Sequence, residues 1–251
     1  MKPHDDGPDE RASDAHARRP PRLAGEIFGE HLPQAIRYAD LLVTTGIDHG
    51  LLGPREAPKV WDRHIINCAM VESLLPHRTR VIDIGSGAGL PGLALAIARP
   101  DLRVALIEPL ARRTEWLQAA VDELGLTQVT VHRARAEEMS GRIQASVVTA
   151  RAVAKLDQLV TWAWPLLPIG GRLLALKGQS AADELETAQP RLLARGVAET
   201  KLHSLGEDIL EQPVRVVEVV RAAVDSTPGE LRRGRSTPRS RPRSTGASAH
   251  E

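Results

Sequence analysis

The chain has 251 residues, 42% of them apolar and 2% aromatic, with 33 Lys and Arg against 32 Asp and Glu. That length supports one full core and a small accessory layer, and the balanced charge excludes a surface that is basic throughout, the usual footprint of a nucleic-acid coat. A single cysteine, Cys68, excludes an intrachain disulfide and a Cys-based zinc site, and the absence of any run of 18 apolar residues predicts a cytoplasmic protein without a membrane span.

The charge is unevenly placed. Residues 1–22 carry five basic and five acidic side chains, residues 225–251 carry six arginines against Asp225, Glu230 and Glu251, and the body between them has a net charge of −2. Both ends are rich in Pro, Ser, Gly and charge, a composition that offers too little burial to offset its ordering entropy. They are predicted to be a disordered extension and a disordered Arg-rich tail. The tail reads either as a solvated appendage or as an electrostatic RNA tether that weakens with salt.

In chain order, residues 23–76 are expected to form a helical cap and residues 77–224 the main domain. The cap holds one helix from Pro33 to Thr45, closed by Gly46, and another from Pro58 to Leu75, closed by Pro76, each with proline in its first turn. In the second, Val60, Trp61, His64, Ile65, Cys68, Val71 and Leu75 recur at three and four, one apolar stripe that makes Cys68 a core residue. Strand Val81–Ile84 then breaks into a glycine turn and a helix over Leu93–Arg99. Strand Arg103–Glu108 follows, then a helix with Leu110, Leu117, Val121 and Leu124 on one face, strand Val129–His132, and strand Ser146–Ala150. A helix from Lys155 to Trp164 precedes strand Arg172–Lys177, and Ala181 to Arg195 forms a helix with a kink or early stop at Pro190. Strands near Ala198–Ser204 and Val214–Ala222 close the chain as a hairpin edge. This alternation predicts an α/β fold with a doubly wound, mostly parallel, Rossmann-like sheet.

Gly85, Gly87 and Gly89 follow the first strand with G-x-G-x-G spacing, and Leu90 stands where a dinucleotide fingerprint would place its last glycine. Glycines serve where the backbone turns with positive φ and a ligand approaches without a Cβ in the way. The departure favours S-adenosylmethionine (SAM) over NAD, and Glu108 at the end of the next strand supplies the carboxylate expected at the ribose. Asp83 is read as the partner of the SAM amino group, or else as a strand-end residue holding its own glycine loop.

Five stretches in the same order resemble the glucose-inhibited division protein B family: Trp61–Cys68, Asp83–Gly92, Arg133–Glu138, Thr149–Ala154 and Leu176–Gln179. The resemblance covers roughly residues 30–220. It implies a SAM-dependent methyltransferase acting on guanine N7 in small-subunit ribosomal RNA, with a ribosomal particle relieving the tension between a near-neutral body and an RNA substrate. By motif it carries cofactor contacts onto Gly85, Leu90, the pair Ala136-Glu137 and Arg151. Members usually open the fourth strand with aspartate, whereas Ala145-Ser146 stand here.

Guanine N7 has a lone pair and no proton, so in-line methyl transfer to it requires no general base; alignment and exclusion of water remain. Arg151 is expected to project from the carboxyl edge toward methionine or the target base, and Lys177 and Arg112-Arg113 to bind phosphates or face the base, each against a structural or solvated alternative. Glu138 reads as a helix cap and His64 as a half-buried histidine. The histidines show no metal-ligand spacing, and no metal is expected. A small-molecule or protein methyltransferase on the same fold, or a SAM- and RNA-binding protein without turnover, are the alternatives. Oligomeric state is left open.

Overall fold

A computed structural model describes residues 19–222. The expected disorder at the two ends therefore falls outside the described residues, except that Arg22 already opens a helix.

Seven strands form one sheet in the order β3-β2-β1-β4-β5-β7-β6: β1 Arg80–Ile84, β2 Arg103–Ile107, β3 Val129–His132, β4 Val147–Arg151, β5 Arg172–Lys177, β6 Val197–Leu205 and β7 Val214–Arg221. The first five are mutually parallel, and β7 enters antiparallel between β5 and β6. The last strand is therefore internal, and β6 is the edge. Its burial suits that place, because Val214, Val216, Val217 and Val219 are buried whereas β6 is largely exposed or half-buried.

Period-two alternation divides the strand side chains between two faces. Val81, Val104, Leu106, Val147 and Leu174 join the helices of the amino-terminal half in one apolar cluster, whereas Ile82, Ile84, Val148, Ala150, Leu173 and Ala175 join a second. Helices α1 (Arg22–Phe28), α2 (Leu32–Val43), α3 (Gly92–Ala98) and α4 (Ala111–Glu123) contribute to the first, and α5 (Leu156–Ala163) and α6 (Ala181–Ala194) to the second. The cap and the sheet share one continuous core, with Phe28, Tyr38, Leu42, Leu93 and Leu106 all fully buried.

Three local differences from the sequence reading have physical causes. Helix α1 was not foreseen; Leu23, Ala24, Ile27 and Phe28 carry its short apolar stripe after Pro20-Pro21. The expected helix over 58–75 divides into a 3-10 turn at Pro54–Lys59, a π-helix at Val60–Ile66, one α-turn at Asn67–Ala69 and a 3-10 turn at Met70–Leu74. Buried Val60 and Trp61 pair with buried Ile65 and Ile66 at a spacing of five, which a wider turn brings to one side. Helix α6 runs through Pro190, where the carbonyl that loses its partner belongs to Glu186, an exposed residue.

Candidate functional site

Strand order reverses between β1 and β4, and ligands of such sheets sit beyond the carboxyl ends of strands at that switch point. The glycine turn leaves β1 there, and Arg151 ends β4 beside it.

Gly85, Gly87 and Gly89 all have positive φ, at 67°, 56° and 86°. Their surroundings separate their roles. A Cβ on Gly85 would stand 2.8 Å from Val153, and one on Gly89 would stand 2.4 Å from Leu93, so both are packed. A Cβ on Gly87 would meet nothing nearer than the Gly85 carbonyl at 3.8 Å. Gly87 is thus the open point of the loop.

Glu108 lies just past β2, 2% exposed. Its Oε2 accepts from the Gly87 N–H at 3.1 Å and its Oε1 from the Leu110 N–H at 3.1 Å, with Arg113 3.9 Å away. The carboxylate expected at the ribose is thereby brought against the open glycine.

Asp83 is placed differently from the contact expected with an amino group. It is fully enclosed, with Oδ2 accepting from the Gly92 N–H at 3.2 Å and Oδ1 from the Thr149 hydroxyl at 3.0 Å. Burial pushes its carboxyl up to about 7, opposed by those hydrogen bonds and by Arg151. Both oxygens are spent on holding the loop and β4, so the enclosed carboxyl positions the backbone instead of meeting solvent. Ser86 adds a bond from its hydroxyl to the Asp83 carbonyl at 2.9 Å.

Leu90 is half-buried at the first turn before α3 and packs on the first cluster. Ala136-Glu137 open the 3-10 turn Ala136–Met139 after β3; Ala136 is buried and Glu137 exposed. Glu138 caps that turn, accepting from the Arg135 N–H at 3.0 Å.

Arg151 does not extend freely from the edge as expected. Its guanidinium turns into the cap, where Nη1 donates to Cys68 Sγ at 2.9 Å and Nη2 to the Arg63 carbonyl and to His64 Nδ1, both at 3.0 Å. The other ring nitrogen of His64 donates to Glu56 Oε2 at 2.9 Å, so the imidazole is neutral and its tautomer fixed. Burial and then Arg151 hold the His64 pKa down, and burial holds the Cys68 thiol up against the same guanidinium. The π-helical segment is thus tied to the end of β4. The reason lies in chemistry: a guanidinium carries five donors in a fork, and the segment Arg63–Cys68 presents acceptors to it.

Lys177 at the end of β5 donates to the Ala154 carbonyl and to Glu184 Oε1, both at 2.8 Å. Its ammonium is paired, contrary to the expectation of a free phosphate ligand. Arg151 and Lys177 nonetheless line one concavity of about 440 Å³ with Arg63, Asn67, Gln179 and Arg215.

One residue of the site carried no sequence signal beyond being the only tyrosine. Tyr38, buried in α2, donates its hydroxyl to the Ala88 carbonyl at 2.8 Å and so pins the glycine loop from the cap side. Burial drives its pKa well up, so it remains a donor. Among the described residues no group of three or more His, Cys, Asp or Glu is arranged to hold a metal ion, and no helix is long and apolar enough to cross a membrane.

Sequence relatives match the chain over most of its length. A protein from Pseudarthrobacter chlorophenolicus called ribosomal RNA small subunit methyltransferase G is 52% identical over 199 residues, 79% of this chain and 92% of its own. One of the same name from Streptomyces avermitilis is 48% identical over 213 residues, 84% and 88%. A crystal structure of a candidate O-methyltransferase from Nostoc punctiforme superposes with a TM-score of 0.52 at 14% identity, covering 62% of this chain and 56% of that one, and supports the fold alone. The family model described as rRNA small subunit methyltransferase G matches residues 31–213, and the chain belongs to that family.

Proposed function

We propose that this protein transfers the methyl group of SAM to N7 of a guanine in small-subunit ribosomal RNA, acting in the cytoplasm on an assembled or partly assembled particle. The observation that carries the reading is the left-handed glycine run at the switch point, open at Gly87 and faced by the Glu108 carboxylate, in a chain of this family.

The residues present fit the cofactor. An open glycine whose N–H is held by the Glu108 carboxylate, which is buried but keeps lone pairs beyond its two backbone bonds, suits a ligand with sugar hydroxyls, and no Cβ on Gly87 obstructs its approach. Gly85, Gly87, Leu90, Glu108 and the Ala136-Glu137 turn would hold it, with Arg151 at the opposite wall. When bound, SAM supplies an electrophilic methyl group on a sulfonium. The protein's own part is orientation and exclusion of water: Asp83 and Tyr38 fix the loop from below and from the cap, and Arg151 fixes the cap to β4. Arg215, Asn67 and Gln179 give the neighbouring concavity donors for the phosphates that flank a target base, beside Lys177 and Arg63, whose charges are already paired with Glu184 and Glu56. The cap over 23–76 serves as a layer of the catalytic unit over 77–224.

The test is to incubate the full-length protein and methyl-labelled SAM with small ribosomal subunits from cells lacking the protein, then map the label by mass spectrometry and N7-specific strand cleavage. One labelled guanine is expected. Label on protein or on small molecules, or no transfer at all, would refute the proposal.

A further inference from the structure

Two adjoining concavities of about 630 and 610 Å³ open at the amino-terminal edge of the sheet, the edge opposite the glycine loop. The first lies over Ile82, Ala105 and Thr130 and is rimmed by Arg80, Arg103 and Arg142; the second shares Arg80 and Arg103 and adds His77 and Arg78. They exist because the connection from β3 to β4 holds only the turn Ala136–Met139 where a crossover helix would cover the sheet, while α5 and α6 lie toward β5, β6 and β7.

The charge at this groove is unbalanced. Asp101 is the sole carboxylate lining either concavity, and it is spent on Arg99 at 2.7 Å, His77 at 2.9 Å and the Arg78 N–H at 2.7 Å. Among the described residues, Arg78, Arg80, Arg103 and Arg142 have no carboxylate within ion-pair distance, as is true of others such as Arg195 and Arg215, but here four such arginines are gathered at one groove, while neighbouring Arg99 takes both Asp101 and Glu72. Moreover, Arg80 and Arg103 are direct register partners on β1 and β2, strands about 4.8 Å apart. Like charges placed directly opposite each other destabilise a sheet. A solvated face gains nothing from that arrangement; an anion seated between the two guanidinium groups offsets it.

We propose that this groove is a second docking site for the phosphate backbone of RNA, separate from the site of methyl transfer. The inference rests on the reading that the substrate is RNA. Guanidinium forks match phosphate oxygens in pairs, and structured RNA is gripped largely through its backbone. Strand β1 places Arg80 at the groove about 16 Å from Gly85 at the start of the glycine loop, at ~3.3 Å per residue, so one folded RNA spans both edges of the sheet. The groove also supplies the local basic patch that a body of net charge −2 requires.

The test uses full-length protein, small-subunit rRNA and small ribosomal subunits, with Arg80→Gln, Arg103→Gln and Arg142→Gln singly and combined, and Arg195→Gln as a control at an exposed arginine elsewhere. The triple variant is expected to bind rRNA at least tenfold more weakly, with the slope of log affinity against log salt reduced by about 2 to 3. SAM affinity should be unchanged, and the thermal midpoint equal to or above the parent's, because a repulsive pair has been removed. A merely structural role for the arginines would lower that midpoint instead. Equal rRNA affinity and equal salt slope in parent and triple variant overturn the docking site, as does a loss matched by the Arg195 control. A parent that binds neither rRNA nor subunits overturns the RNA reading itself. Selective loss of binding to a polyglutamate peptide, with rRNA binding intact, would assign the groove to an acidic protein.

Discussion

Asp83 makes a quantitative expectation possible, because its carboxyl is enclosed, has two identified partners and sits at about 7 instead of the ordinary value of 3.8. The native state holds a proton that the unfolded chain gives up between those values, so this group's contribution to stability is greatest near pH 4 and falls as pH rises toward 7. A rise of roughly three units corresponds to about 4 kcal/mol lost across that window. The Thr149 hydroxyl donates to ionised Oδ1; on protonation that hydroxyl turns and accepts from Oδ1 while Oδ2 still accepts from the Gly92 N–H, a pattern that asparagine reproduces. Asp83→Asn is therefore expected to match the parent near pH 4, to exceed it by about 1–2 kcal/mol at pH 5 and by up to about 4 kcal/mol at pH 8. Asp83→Ala leaves two buried groups without partners, at roughly 1–3 kcal/mol each, and should fall below the parent by about 2–6 kcal/mol near pH 4, with the gap narrowing as pH rises to 8. Urea unfolding of full-length parent and variants from pH 4 to pH 8 measures all three curves. An Asp83→Asn chain whose stability falls with pH as steeply as the parent's would refute the assignment of the slope to Asp83. An Asp83→Ala chain equal to Asp83→Asn near pH 5 would refute the hydrogen-bond reasoning.

Gly87→Ala should destabilise the free protein by only about 1–2 kcal/mol, the cost of a left-handed backbone for an L residue, yet weaken SAM binding at least tenfold by calorimetry; unchanged affinity would remove Gly87 from the cofactor site. Tyr38→Phe leaves the Ala88 carbonyl unpaired beneath the loop and is expected to cost roughly 1–3 kcal/mol with a measurable rise in the SAM dissociation constant, whereas a purely structural tyrosine would alter the unfolding midpoint alone. Arg151→Gln is too short to reach Cys68 and Arg63 together, so protease nicking of the Pro54–Ile66 segment should accelerate along with loss of methyl transfer; intact protection with full activity would show that the clamp is dispensable.

Features carried by backbone periodicity were legible in the sequence, and features carried by side-chain pairing were not. The strand that ends at Ile84, the glycines after it and the carboxylate at Glu108 declare themselves because turn geometry restricts residue type locally. Arg151 could be placed at the end of β4 by counting, but its direction could not: the acceptors that capture it lie 83 to 88 residues earlier. Lys177 shows the same limit at shorter range, since Glu184 lies seven positions on, across the turn into α6. Asp83 is the instructive case, because both readings required a carboxylate at the same strand end. The enclosure favours the loop-holding one: a Cβ on Gly92 would stand 2.9 Å from Asp83 Oδ2 and 2.3 Å from Leu106, so α3 presses its first residue onto a carboxyl that is fully buried. Gly92 therefore belongs to the motif for packing, Gly87 for access, and only the three-dimensional neighbours distinguish two glycines that read alike in the chain. The same argument extends to Arg80 and Arg103, which look like scattered surface charge in sequence. Parallel register puts them face to face, and that juxtaposition gives the bare half of the sheet a chemical preference.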